Sequence, residues 1–528
     1  MLETIKCIPE SDVARFQRSP NASASRQIAL QDLNNGRHAP ALARFQKLVQ
    51  EFPAIPQFRL ELGLAAAGDL EFALADQAFE QAMALAPANA AMLVFIGAQY
   101  YHLRRMNQAF ACLRRALDAD PSSADARLTL AAWLERDRRM DEAWECVETC
   151  MARHPQNGWG LYLRAFLLHR RGLNGEAETA LRDLLKNNPP PPPELQTNAN
   201  HLLGIVLDAL GQYAEALAFL TQAKTLRLKM QDTANLEKGY EMMDRARRVL
   251  LAELTPQTLR RWREEAVDAP CPHPLALLGG AMRSGTTLIE QILGTHPEIL
   301  ALDETPSFGK EVANTLQPPS PTQGLTLKSL DNLPAAGRAR LIARYFRSLL
   351  SDTEENPRAR LLLDKNPSTT GALHIWLRLF PRSKVVIALR DPRDVVISCY
   401  FQNFPTPWAT VNFSSLKRTA RFYADCMDVW LRLRELDGFE WIETRYEDVV
   451  GNLEREGRRV TNFLGLPWRA DQAAYYETSR RKFVHSPTYD EVTKPVYTRA
   501  VKRWESYAEA MAPLQARLEP YLRNFGYS

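Results

Sequence analysis

Five prolines, Pro53, Pro87, Pro121, Pro155 and Pro189, stand 34 residues apart. No other feature constrains the fold as much. A unit of that length holds two antiparallel helices, is too small to bury its apolar face alone, and must stack on copies of itself. Small residues keep the same frame. Ala41, Ala75, Ala109, Ala143 and Ala177 lie twelve residues before each proline, and Ala29, Gly63, Gly97, Ala131 and Ala165 form a second series. Small side chains let paired helices approach closely, and each Pro stops one unit and starts the next. After the proline run Pro189–Pro193 the frame resumes with Gly204, Ala216 and Ala223, displaced by five residues, the length of that run. The run reads as a stiff extended spacer that bulges the array without ending it.

This frame resembles the tetratricopeptide repeat, and the expectation is an all-α solenoid of about six repeats over residues 22–231, after an N-terminal extension, 1–21. Such arrays commonly hold a peptide or partner protein; a role limited to supporting or dimerising the neighbouring domain stands beside that reading. Residues 232–271, apolar at helical spacing and ending near Pro270, read as bridging helices. A chain of 528 residues needs more than one core, and 45% apolar with 24% charged residues excludes wholesale disorder. Basic and acidic residues, 66 and 62, leave a net charge of only +4, which gives no reason to expect nucleic acid. The start, MLETIKCIPESDVARF, lacks an apolar core of the signal-peptide kind, and no apolar run of membrane-spanning length occurs. With seven scattered cysteines, the reading is a cytoplasmic protein without a metal site. Cys146 and Cys150 read as small buried fillers.

From Pro274 the pattern changes. Leu275–Gly280 is a short apolar run, read as a buried parallel strand; Gly280-Ala-Met-Arg-Ser-Gly-Thr-Thr287 follows, and Leu288–Leu293 is helical. Strand, glycine-bearing loop and helix make a cradle for phosphate. Gly279, Gly280 and Gly285 permit close backbone approach, and the N–H groups of Ser284, Gly285, Thr286 and Thr287 would face an anion. Thr286 stands where a nucleoside-triphosphate loop has Lys, which argues against ATP or GTP. The cation is instead Arg283. Downstream, Lys384–Arg390 reads as a strand ending in Arg, and Ser398 follows in the next helix. An Arg and a hydroxyl so placed can converge on one anion.

The loop RSGTT within GGAMRSGTTLIEQILGTHPEI resembles the 5′-phosphosulfate loop of sulfotransferases, most closely that of tyrosylprotein sulfotransferases and their bacterial relatives. The resemblance covers residues 272–528 and implies an α/β, P-loop-like domain with a parallel sheet that uses 3′-phosphoadenosine 5′-phosphosulfate (PAPS). It assigns Arg390 and Ser398 to the donor's 3′-phosphate, with Gln402 where the family often has a further Arg. It makes Lys365, in Leu361-Leu-Leu-Asp-Lys-Asn-Pro367, the stabiliser of the leaving oxygen. Tyr446 matches a tyrosine beside the nucleotide, and Thr488 and Lys494 match the 3′-phosphate region of a closing loop.

By the same resemblance Glu304 is the catalytic base, with Asp303 beside it and His296 as rival, and Arg283 and Lys365 sit on the charge that develops during transfer. Positioning and charge stabilisation would supply most of the rate. Where the animal enzymes carry arginines for acidic peptides, this chain reads Thr305-Pro-Ser-Phe-Gly-Lys310, with one cation. The acceptor hydroxyl is therefore open among peptide, phenol, sugar and lipid, with the repeats favouring a peptide or protein. Two other readings are a P-loop kinase, opposed by Thr286, and an inert scaffold, opposed by the joint presence of Arg283, Glu304, Lys365, Arg390 and Ser398.

Overall fold

The computed structural model describes residues 10–231, 233–317, 324–351, 353, 357, 360–404, 406–479, 491–496, 498 and 500–527. The chain divides into two compact units, Met1–Arg164 and Ala165–Ser528.

In the first unit the period becomes helix pairs. Second helices stop two residues short of their prolines, at Glu51, Leu85, Ala119 and Arg153, and new helices begin three residues beyond, at Pro56, Ala90, Ala124 and Gly158. Ala29, Ala41, Ala75, Ala109, Ala131 and Ala143 are fully buried where the helices meet. The approach is close: a Cβ added at Gly63 would lie 2.5 Å from the Phe79 ring. The turn inside each pair places one residue in the left-handed region, at Gly36, Leu70, Arg104 and Arg138. The second unit continues the series at Gly172 and Gly211, 39 residues apart, which is the period plus the five-residue displacement.

In the second unit α1 (Pro193–Ala209) and α2 (Tyr213–Lys229) make the last repeat, and α3 (Ala234–Glu253) with the helix Pro256–Glu265 occupies the bridging segment. Then comes a five-stranded parallel sheet of β1 (Leu275–Gly280), β2 (Ile299–Asp303), β3 (Leu361–Lys365), β4 (Lys384–Leu389) and β5 (Glu440–Arg445), in the order β2-β3-β1-β4-β5. The apolar runs of the strands follow from burial on both faces. Leu277, Leu302, Leu362, Val385 and Ile387 pack under α6 (Leu416–Arg434) and its neighbours. Leu278, Leu363 and Val386 pack against Ile289, Ile292 and Leu293 of α4 (Thr286–Gly294). Because all strands run parallel, their following loops emerge at one edge, where ligands of open α/β sheets bind. Among the described residues no helix is long and apolar enough to cross a membrane.

Gly63→Val tests the repeat packing. It should destabilise the first unit by about 1–3 kcal/mol, the usual cost of overpacking, read as a lower midpoint in thermal unfolding followed by circular dichroism.

Candidate active site

The loop after β1 is shaped by contacts that leave little freedom. Gly280 has φ 128°, and a Cβ there would lie 2.3 Å from Ala388 O in β4. Its N–H donates to Thr370 Oγ1 at 2.7 Å, and the same hydroxyl donates back to Gly280 O at 2.9 Å. Ser284 Oγ donates to Ala281 O at 2.7 Å and closes the loop on itself. Gly285, with φ 94°, precedes α4 without a side chain to cap it, and a Cβ there would meet Tyr446 Cδ2 at 2.7 Å. The first turn of α4, with Thr286 and Thr287 buried, thus offers its N–H groups to an anion.

Lys365 ends β3 fully buried. Its Nζ lies 2.5 Å from Asp303 Oδ1 and donates to Glu304 Oε1 at 2.8 Å and to Thr287 Oγ1 at 3.3 Å. Parallel pairing puts Asp303 opposite Lys365 in register, and Glu304 N donates to Lys365 O at 2.8 Å. Burial alone would pull the Lys365 pKa down; Asp303, Glu304 and Glu290 outweigh it and hold the ammonium above its ordinary range. Glu304 has φ 46°, a left-handed conformation that costs a non-glycine residue about 1–2 kcal/mol. Its side chain keeps about a third of its surface exposed, 35%, against 13% for Asp303, so Glu304 is the carboxylate that an incoming group meets.

Across the loop are two guanidiniums. Arg283, at φ 68°, donates from Nε to Ser398 Oγ at 3.1 Å, and Arg390 Nη1 donates to Arg283 O at 3.2 Å. Ser398 lies on α5 (Pro392–Tyr400), one turn beyond Asp394. Arg390 sits 4.9 Å over the Tyr446 ring, and its buried Nε has no hydrogen-bond partner among the described residues. Burial lowers the pKa of Arg283, and Arg390 adds to that, against the opposing pull of Glu491 and Glu304. Among the described residues Arg283 forms no ion pair, and Arg390 reaches a carboxylate only at 3.8 Å, on Asp394. A buried and a half-buried cation with donors to spare fit an anion.

Gly280, Arg283, Ser284, Gly285, Thr286, Thr287, Glu304, Lys365, Arg390, Ser398 and Tyr446 therefore gather at the carboxyl edge of the sheet. Lys494 is exposed, its carbonyl accepting from Tyr475 Oη at 2.9 Å, and Thr488 lies outside the described residues. His296 is elsewhere. It precedes β2, at the opposite edge from Glu304, with Nε2 donating to Pro467 O at 3.1 Å and Nδ1 accepting from Glu298 N at 3.1 Å. Gln402 turns its amide back to Ser398 O at 3.2 Å. Sequence reasoning missed Thr370 and Asp394. Asp394 accepts from the N–H groups of Lys502 and Trp504 at 2.8 and 2.9 Å and so ties the closing segment to α5, just after Arg390.

Residues 274–470 match the model of the sulfotransferase family. The matched stretch takes in all five strands and the gathered residues. Residues 197–229, the last repeat, match a tetratricopeptide model. An uncharacterized Aquifex aeolicus protein is 27% identical over 63% of this chain, and the chain spans 42% of its length. Protein-tyrosine sulfotransferase 2 of Gallus gallus is 27% identical over 48% of this chain and 72% of its own length. The sulfotransferase domain of a Synechococcus PCC 7002 olefin synthase is 22% identical, covering 49% of this chain and 96% of that one, with a TM-score of 0.37.

Asp394→Ala should free the Lys502 and Trp504 amides. Each hydrogen bond to a buried charge is worth about 1.5–3 kcal/mol, so their hydrogen exchange should quicken by about 10–100-fold while amides of the central strands stay slow.

Proposed function

We propose that the chain transfers a sulfonyl group from PAPS to a hydroxyl acceptor. The observation that carries this reading is the division of positive charge into two poles. Lys365 enters from β3 and Arg390 from β4, the two strands that flank β1. Neighbouring strands lie ~4.8 Å apart, so the two strands that carry the poles stand ~10 Å apart on either side of the loop. That separation suits a ligand with two distinct anionic ends, a 5′-phosphosulfate and a 3′-phosphate, better than one linear triphosphate. Arg390 and Ser398 would hold the 3′-phosphate end, with Arg283, which the resemblance assigns to the charge that develops during transfer, hydrogen-bonded to Ser398 beside them. The loop amides, Thr286, Thr287 and Lys365 would hold the 5′ end, with Tyr446 packed between Gly285 and Arg390.

PAPS would supply an activated sulfonyl group and a phosphate leaving group. During transfer the acceptor oxygen bonds to sulfur as the bond from sulfur to the phosphate oxygen breaks. Lys365, already fixed and charged, stabilises the oxygen that departs. Glu304, held by Lys365 and open on one side, takes the acceptor proton. The curated relatives include proteins named protein-tyrosine sulfotransferases, which makes a tyrosine of a partner protein one acceptor to try. The segment after Glu304 offers little to an acidic peptide: Thr305, Ser307 and Phe308 are buried, and Lys310 Nζ is 3.8 Å from Glu311.

Two substitutions test the assignment. Arg390→Ala should weaken 3′-phosphoadenosine 5′-phosphate by about 10–100-fold in calorimetry and adenosine 5′-phosphate far less. Equal losses would remove Arg390 from the 3′ end. Glu304→Gln should keep nucleotide affinity within about twofold while turnover with labelled PAPS falls by roughly 10²–10⁴. Retained turnover would overturn the choice of base.

A further inference from the structure

A cavity of about 340 Å³ lies against the other flank of the donor loop. Its floor is Ala281 and Met282, immediately before Arg283, with Pro367 and Ser368, two and three residues after Lys365. Consecutive Cα atoms are ~3.8 Å apart, so this floor lies within about 12 Å of the backbone of both Arg283 and Lys365. Leu236, Met243, Trp408, Val411, Phe413 and Phe422 line the body. The rings interlock: Trp408 and Phe413 lie with centroids 5.0 and 5.2 Å from Phe422.

Several polar groups at the wall are already engaged. Tyr240 Oη donates to Asp425 Oδ2 at 2.9 Å, Arg247 pairs with Asp244, and Asn412 Nδ2 donates to Trp408 O at 3.0 Å. What the cavity has left to offer is apolar surface, in the volume range of small-molecule sites. One wall is α3, from the bridging segment, which presents Gly239 to the space. A Cβ built on Gly239 would have no atom within 4 Å.

The geometry points to this cavity as the acceptor pocket, taking a small hydroxyl compound with an apolar ring or chain, a phenol above all, in place of an acidic peptide. The inference rests on the proposed PAPS reading. The apolar body would seat among the aromatic rings, and the hydroxyl would extend past Met282 and Pro367 toward Lys365 and Glu304. There its oxygen bonds to sulfur, its proton passes to Glu304, and 3′-phosphoadenosine 5′-phosphate leaves with the electron pair of the broken bond.

Gly239→Leu provides the test, because its Cβ meets no atom within 4 Å, its branch enters the cavity, and leucine favours the helix. Gly175→Leu, equally open but on a repeat helix, is the control. The probe is 2-naphthol. The full-length protein should bind it in calorimetry and sulfonate it with labelled PAPS. Gly239→Leu should raise both its Kd and its KM by about tenfold or more while leaving 3′-phosphoadenosine 5′-phosphate binding within about twofold. Gly175→Leu should change neither. Naphthol binding indifferent to Gly239→Leu would overturn the pocket. So would an enzyme that sulfonates an acidic tyrosine peptide and ignores naphthol. Absence of nucleotide binding in the same calorimetry would sink the donor reading instead, and the naphthol titration would still decide whether the cavity is a ligand site.

Discussion

A lysine with no solvent exposure is held between two carboxylates at the end of β3, and the active edge is built around it. Taking an ammonium out of water costs several kcal/mol unless close partners repay it. Asp303 and Glu304 do so, and they reach Lys365 because β2 and β3 pair in parallel with Asp303 opposite it. The ladder then runs one residue beyond the strand, through Glu304 N to Lys365 O, while Glu304 bends into the left-handed region. That bend leaves the Glu304 carboxylate partly open at the edge. Replacing Lys365 would leave two carboxylates facing each other and would disturb the strand end, Glu304 and the loop together.

The second pole is tied to the last repeat through the closing segment. Arg390 Nη2 donates to Ala500 O at 2.5 Å, Asp394 accepts from Lys502 and Trp504, and Arg393 lies 4.0 Å over the Trp504 ring. Arg503 Nη2 then donates to Asp208 of α1 at 2.7 Å, and Tyr507 Oη donates to the same carboxylate. The end of α5 meets the repeat as well: His201 and Lys224 donate to the carbonyls of Phe401 and Gln402 at 3.0 and 2.5 Å. Cationic and N–H donors at the carboxyl end of α5 oppose the negative end of its dipole. The helix that carries Ser398 is thus braced by residues of the repeat, and compact unit boundaries do not follow the repeat count.

Legibility in the sequence tracked how local each cause is. The repeat frame was readable because its period is written in Pro53 through Pro189 and in the small residues between them. The loop, β4 and its Arg were readable because strand, glycines and helix are contiguous. β2 escaped as a strand, since Ile299–Asp303 is short and crowded between His296-Pro297 and the candidate base. Thr370 meets Gly280 across 90 residues, Arg283 meets Ser398 across 115, and Asp208 meets Arg503 across 295. No spacing rule announces such pairs. The apolar cavity was equally invisible, being assembled from the bridging helix, the loop floor and a patch of rings around Trp408.

The position of the cation separates this loop from one that binds a triphosphate. There a lysine on the first helical turn reaches over the phosphates. Here that position is the buried Thr286, and the ammonium arrives on a strand from beneath the turn, touching Thr287 at 3.3 Å. A lysine on an exposed helix start retains rotamer freedom worth up to ~2 kcal/mol, which binding must remove. Lys365 has surrendered that freedom on folding, because the ladder fixes its backbone and two carboxylates fix its head. On the proposed reading, its charge stands ready for the negative charge of a leaving oxygen, with no reorganisation needed at the moment of transfer.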